Sequence, residues 1–174
     1  MPLSPPLQSV VALLEEMHTL VQRLDDQEYT RPAPGRSSGG VGGHVRHCLD
    51  HVSALIASTY TGVCAYDGRA RGTEIETHRR AALAAVAGLI RVVAGLDPSL
   101  LEREIDVEIQ LDRAGTISHA RSSFGRELLY VMSHTIHHNA LVALMLRERG
   151  ISVDPHLGLA PSTPTESEPV ACAR

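Results

Sequence analysis

An all-α domain, four helices packed as a four-helix bundle, is the fold this sequence predicts, and three observations predict it. Apolar residues recur at three- and four-residue spacing in four long segments. The composition is rich in Ala, Leu and Val while aromatic residues make up only 3%, which favours helix over strand. The chain has 174 residues and 43% apolar content, enough for one domain with a buried core. The connections between the segments are uneven in length, so at least one crossover is expected rather than plain short hairpins.

Ser4-Pro5-Pro6 reads as a helix start, a capping hydroxyl followed by prolines where no backbone donor is missed. Val10, Leu14, Met17, Val21 and Leu24 then continue the first amphipathic stripe. Residues 25–40 contain Pro32, Pro34, Gly35, Gly39 and Gly40 and read as a long loop. The second helix begins near Ser38 or Val41 and runs to about Tyr60, with Val41, Val45, Cys48, Val52, Leu55 and Ile56 as its apolar stripe. TGVCAYDGRARG is a polar, glycine-containing connection. Thr73 caps a third helix over residues 74–95, whose first turn carries Glu74 and Glu76 at the positive end of the helix dipole. In residues 103–111 Ile105, Val107, Ile109 and Leu111 alternate with polar residues, and Gly115 can return them as a short β-hairpin insert. The fourth helix starts at Ser122 or Ser123 and ends at Arg149, with Gly150 as its stop. The domain is placed at residues 1–160, and the Pro-, Ser- and Thr-rich segment 161–174 is expected to be a loosely ordered tail.

Sixteen basic against 20 acidic residues give a net charge of -4, which argues against a nucleic-acid binder. The N-terminal residues lack a basic region and a cleavage site, so no signal peptide is expected. The longest apolar stretch, residues 81–90, is far short of the roughly 20 residues that span a bilayer. Cys48, Cys64 and Cys172 are widely separated and odd in number, implying no disulfide framework. The expectation is a cytoplasmic protein acting on a small-molecule substrate, away from nucleic acid and membrane. Apolar stripes on the first and third helices could pair in a homodimer.

Ten histidines are present, six of them in GGHVRHCLDH and SHTIHH. His44, His47 and His51 share one flank of the second helix, because spacings of three and four share a face. His134 and His138 lie one turn apart on the face that Glu127, Val131, Leu141 and Met145 continue, so both imidazoles should point inward. A turn rises about 5.4 Å, so two such rings can reach one cation at roughly 2.1 Å. A third imidazole from a facing helix would complete a site with an open position, and spacing alone leaves His44, His47 and His51 as candidates. Nitrogen ligands suit zinc, nickel or iron better than calcium or magnesium; zinc or nickel is the first expectation, with iron and manganese open. The competing reading is structural, since a lone buried histidine is more often a hydrogen-bonded core residue than a ligand. Six clustered on two helices shift the balance to metal. His134-Thr135-Ile136-His137-His138 is not a zinc-protease motif, because Thr135 stands where H-E-x-x-H places its general base.

Asp50 and Glu127 are candidates to orient a ligand imidazole, as carboxylates behind metal sites do, although Glu127 can equally offset the helix dipole. His44 and His51 are candidates for the same role, set against a plainer place on a partly exposed flank. His137 points away from the His134/His138 face. Cys48 lies on the apolar stripe and reads as a buried thiol. Arg69/Arg71 and Arg79/Arg80 read as solvated surface.

VGGHVRHCLDH, YDGRARGTEIETHRRAAL, SSFGRELLYVMSHTIHHNALVALMLRERGI and the closing GLAPST resemble the DinB-like (YfiT-like) metal-binding four-helix bundles. The resemblance spans most of the chain beyond residue 40. It implies one metal ligand from the second helix, His47, and an H-x-x-x-H pair from the last, His134 and His138. It further implies a metal-dependent enzyme using a low-molecular-weight thiol as cosubstrate, most simply an S-transferase, with no protein nucleophile. The sulfoxide-synthase relatives carry H-x-x-x-H-x-E, and Ala140 at the glutamate position weakens an iron-oxygenase reading. A metal-dependent hydrolase and a non-enzymatic metal-binding stress-response bundle are the alternatives.

Overall fold

The computed structural model describes residues 3–33, 39–68 and 72–164. The chain is mostly helical with a small three-stranded sheet. Four long helices dominate: α1 (Pro5–Arg23), α3 (Val41–Thr61), α5 (Arg79–Ala94) and α6 (Phe124–Glu148). Two short ones, α2 (Asp26–Thr30) and α4 (Glu74–Thr77), lie in the connections. The strands are β1 (Val63–Ala65), β2 (Glu104–Gln110) and β3 (Ile117–Ser123).

The apolar spacing of each long helix decides what it buries. In α1 Leu7, Val10, Leu14, Met17 and Val21 are buried, and this stripe lies against α5 and α6. α3 lies against the same two helices, burying Val41, Val45, Cys48, Leu49, Val52 and Leu55. Passing from α1 to α3, and from α5 to α6, the chain links helices that make little direct contact. Phe124, Leu128, Val131, Val142 and Leu146 of α6 complete the shared core.

The ends follow local chemistry, with exceptions. Ser4 occupies the N-cap of α1, but its hydroxyl makes no capping bond; of the two positions that donate to such a cap, Pro6 has no N–H. Ser123 does cap α6, accepting from the Arg126 N–H at 3.2 Å. α3 stops at Gly62, whose φ of +77° suits the left-handed C-cap conformation. The expected third helix is broken: His78 is extended, separating α4 from α5, and Thr73 makes no side-chain cap bond. Within the expected loop 25–40, Asp25 caps α2 by accepting from the Glu28 N–H at 2.7 Å. Arg79, expected to be solvated, donates to Asp26 at 2.7 Å and reaches the Val21 carbonyl, so it ties α5 to α1 and α2.

The hairpin forms where the alternation placed it, with Ile105 opposite Ser122 and Val107 opposite Ala120. The expected polar connection after α3 supplies a third strand instead, β1, parallel to β2 with Cys64 beside Val107. Three residues are too few for alternation to show in a sequence. Ile105 is buried, but Ile109 and Leu111 stay exposed, so the outer half of the hairpin's apolar face is uncovered. The Ser38 helix start, the Arg69/Arg71 pair, Cys172 and most of the expected tail (165–174) lie outside the described residues.

Candidate metal centre

Five imidazoles meet where α3 faces α6. On α3 the positions 44, 47 and 51 repeat at three and four residues, which stacks their side chains along one face. On α6 the same holds for 134 and 138. His47 and His134 point at each other, with Nε2 to Nε2 at 2.8 Å. That is a hydrogen-bond distance, so one of these nitrogens carries a proton and the other presents its lone pair.

His51 lies beside that pair and is buried, not on a partly exposed flank. Its ring is 4.2 Å from the His134 ring and 4.4 Å from the His47 ring. Its Nδ1 lies 3.0 Å from the His47 carbonyl oxygen. A carbonyl only accepts, so Nδ1 is the protonated nitrogen and Nε2 keeps its lone pair, the arrangement common to metal-binding histidines. His47, His51 and His134 each offer a ligand atom within 4.8 Å of the other two.

His138 flanks the pair from the other side, its ring 4.5 Å from the rings of both His47 and His134. Its Nδ1 lies 2.8 Å from Nδ1 of His44. Burial pushes the pKa of His138 down to about 3, with repulsion from His134, His44, His137 and His51 adding to it. The ring is therefore neutral, the state that can donate to a cation. His137 is exposed and lies beside His138, with ring centroids 5.3 Å apart.

The two carboxylates proposed to orient imidazoles behave differently. Asp50 accepts from Arg46, which also reaches Glu76. Glu127 is buried and accepts from three donors: the Tyr66 hydroxyl at 2.8 Å, the Ser122 hydroxyl at 2.7 Å and Arg126 Nη1 at 2.8 Å. Its link to the histidines runs through Tyr66, whose ring stacks on His51 at 5.0 Å and 17°. Tyr130 stacks in turn on His134 at 5.7 Å and 24°. Neither tyrosine stood out in the sequence; Tyr66 sits in a supposed connection, and Tyr130 precedes His134 by one helical turn, the only signal available.

Thr135 is buried and donates to the Val131 carbonyl at 2.8 Å, so no general base occupies the protease position. Burial pushes the Cys48 thiol up to about 12, as expected of a core cysteine. Gly158 rests on α6 at Ala140, where a Cβ on Gly158 would meet the Ala140 Cα at 2.3 Å. The 140 position is thus a packing contact.

A cavity of about 400 Å³ lies on the far side of the two tyrosines stacked on His51 and His134; Tyr66, Tyr130, Glu127, Arg126, Val107 and Ile109 are among its walls, and no histidine of the cluster is. A larger one of about 620 Å³, between α1 and the segment after α6, is lined neither by the cluster histidines nor by the tyrosines stacked on them. Among the described residues no helix is long and apolar enough to cross a membrane.

The donor set fits a divalent cation: His47, His51 and His134 bring three imidazole nitrogens within 4.8 Å of one another at half-buried to buried positions. No family model matches the chain. A stretch of 108 residues is 34% identical to FK506-binding protein 5 of Rhizopus delemar; it makes up 62% of this chain but 28% of that protein, so the match covers little more than a quarter of its length. The crystal structure of a DinB-like protein, YjoA from Bacillus subtilis, superposes with a TM-score of 0.58, covering 87% of this chain and 96% of that one at 17% identity. With its helices and hairpin arranged in this way, the chain has the fold of a DinB-like protein.

Proposed function

We propose that this chain is a DinB-like, metal-dependent enzyme that uses a low-molecular-weight thiol in S-transfer, its four long helices serving as the four-helix bundle of that family. The observation that carries the reading is the meeting of His47, His51 and His134 from two helices, their ligand atoms within 4.8 Å of one another and His47 and His134 at 2.8 Å, with His138 beside them. Such a cluster of bases is costly to bury for packing alone, since burial strips water from every ring nitrogen. His47 and His134 form the central pair of ligands. His138 is the third, as the family resemblance implies, and His51 is the alternative third donor on the strength of its proximity and its tautomer. Zinc or nickel suits an all-imidazole set best, with iron or manganese less favoured.

A divalent cation held there supplies Lewis acidity, bringing the proton of a water or thiol within reach of neutral pH. The chain's own residues do the rest. His51 is locked by the His47 carbonyl, Tyr66 and Tyr130 wall the imidazoles from one side, and Glu127 anchors Tyr66. Cys48 and Cys64 are buried and held as thiols, so the attacking group would be the thiol cosubstrate.

Elemental analysis of protein prepared without a histidine tag tests the metal. About one equivalent of zinc or nickel is expected in the native chain and far less in His47→Ala and His134→Ala. His138→Ala and His51→Ala, analysed side by side, identify the third ligand by which one loses the metal. Stoichiometric metal retained in both would refute the ligand set. Turnover of a reactive electrophile with cysteine, glutathione, bacillithiol or mycothiol tests the chemistry, and metal-loaded protein inert with every thiol would leave a metal-binding protein without transferase activity.

A further inference from the structure

The cavity of about 400 Å³ between the hairpin and α6 is divided by chemistry into two walls. One wall is apolar: Val107 and Ile109 of β2 and Ala120 of β3. Ile109 is 43% exposed there, a large apolar side chain at the outer end of a sheet face that no helix covers. The other wall comes from α6 and the segment after β1, with Tyr130, Tyr66, Glu127 and Arg126. Its charges are unequal in availability. Glu127 is buried and already accepts from Tyr66, Ser122 and Arg126, so its negative charge is spent inside the protein. Arg126 is 66% exposed; one Nη1 goes to Glu127, and its guanidinium carbon lies 5.8 Å from the centre of the Tyr130 ring. A guanidinium has five N–H donors in a planar fork, and the Glu127 bond and the ring hold that fork in place without using it up. Arg121 also borders the cavity, but it stands opposite Asp106 in the register, on the face of the hairpin away from Val107 and Ala120.

We propose that this cavity is a subsite for a small carboxylate with an apolar body. Arg126 takes the carboxylate, Tyr130 serves as the shelf, and Val107 and Ile109 cover the apolar part. A planar fork matches a carboxylate in two parallel hydrogen bonds, and the cavity volume falls at the small end of the range for ligand pockets. Tyr66 and Tyr130 are walls of the cavity on one side and stack on His51 and His134 on the other, so an acid bound here lies next to the histidine cluster. That it is there to be acted on rests on the metal-enzyme reading; the binding does not. The carboxylate can belong to the electrophile or to a thiol cosubstrate that carries one, as cysteine and glutathione do.

Titration calorimetry with 4-phenylbutyrate, 4-phenylbutyramide and glutathione, on metal-loaded and on chelator-treated full chain, tests the proposal. Saturable binding of phenylbutyrate is expected, with the uncharged amide weaker by roughly 10- to 100-fold. Arg126→Ala should weaken the acid by a similar factor and leave the amide unchanged. Ile109→Asp, on the opposite wall and at an exposed position, should abolish binding of the acid while melting temperature and metal content stay at their native values. Competition by glutathione assigns the carboxylate to the thiol; its absence assigns it to the electrophile. Equal binding of acid and amide, acid binding indifferent to Arg126→Ala and Ile109→Asp, or no saturable binding of either acid would overturn the proposal. Metal content is read separately, so a chain that binds the acid but no metal defeats the metal reading alone, and the reverse result defeats the subsite alone.

Discussion

Tyr66 couples a buried carboxylate to a histidine by two different forces, a hydrogen bond to Glu127 at 2.8 Å and a stack on His51 at 5.0 Å. Tyr66→Phe keeps the stack and removes the hydroxyl donor. The expected outcome is a loss of about 1 kcal/mol in urea unfolding, together with metal affinity lowered roughly tenfold as the support behind His51 loosens; competition with a chromophoric chelator measures the second effect. His138 provides a pH signature at the same scale. Its pKa is about 3 in the folded chain against 6.5 ordinarily. As pH falls through about 6.5 the unfolded chain takes up a proton there that the folded chain refuses until about 3, so this group lets the metal-free fold keep its full stability above about 6.5 and erodes it between those values. Thermal melts of chelated protein at descending pH should show that decline, shallower in His138→Gln.

Among the elements, α3 and α4 meet through a missing side chain. A Cβ at Gly42 would lie 2.2 Å from the Glu76 carbonyl oxygen, whereas one at Gly43 would lie 3.5 Å from a Glu76 carboxylate oxygen, an ordinary contact. Two adjacent glycines of one helix should thus respond with opposite signs. Gly42→Ala is expected to cost about 1–3 kcal/mol by forcing the two backbones apart. Gly43→Ala should gain a few tenths to about 1 kcal/mol by stiffening the helix; urea denaturation of both variants gives the comparison. Tyr29 braces the same junction, donating to the Ile75 carbonyl at 2.6 Å. The long helices were legible because their apolar spacing persists over many turns, and the hairpin because Ile105 to Leu111 alternate. β1 and the break at His78 were not, since a three-residue strand and a single extended residue leave no periodic trace. His134 and His138 followed from helical spacing. The burial of His51 did not, because it depends on Tyr66 arriving from β1's side, a contact between residues far apart in the chain.

On the scale of the whole molecule, the histidines join α3 to α6 across the core, so a cation held there is linked to global stability. Metal at about one hundred times its dissociation constant should stabilise the fold by about 2.7 kcal/mol, raising the melting temperature by roughly 5–10 °C. Calorimetric melts with and without added zinc check this, and the increment should vanish in His47→Ala. The helical class and the facing histidines were readable from the sequence, but the walls of the site were not, because they come from the hairpin and the segment after α3 rather than from the histidine-bearing motifs.

Cys48 and Cys64 bear on how such a chain could live with its proposed reagents. Both thiols are fully enclosed and held in the protonated state, up to about 12 and about 11. A nucleophilic thiolate is what alkylating agents and disulfides attack, so neither cysteine competes with a soluble thiol for an electrophile or forms a mixed disulfide with it. Their alkylation instead requires the packing around α3 and the small sheet to open, which makes the labelling rate of these two sulfurs a built-in gauge of how often the interior opens.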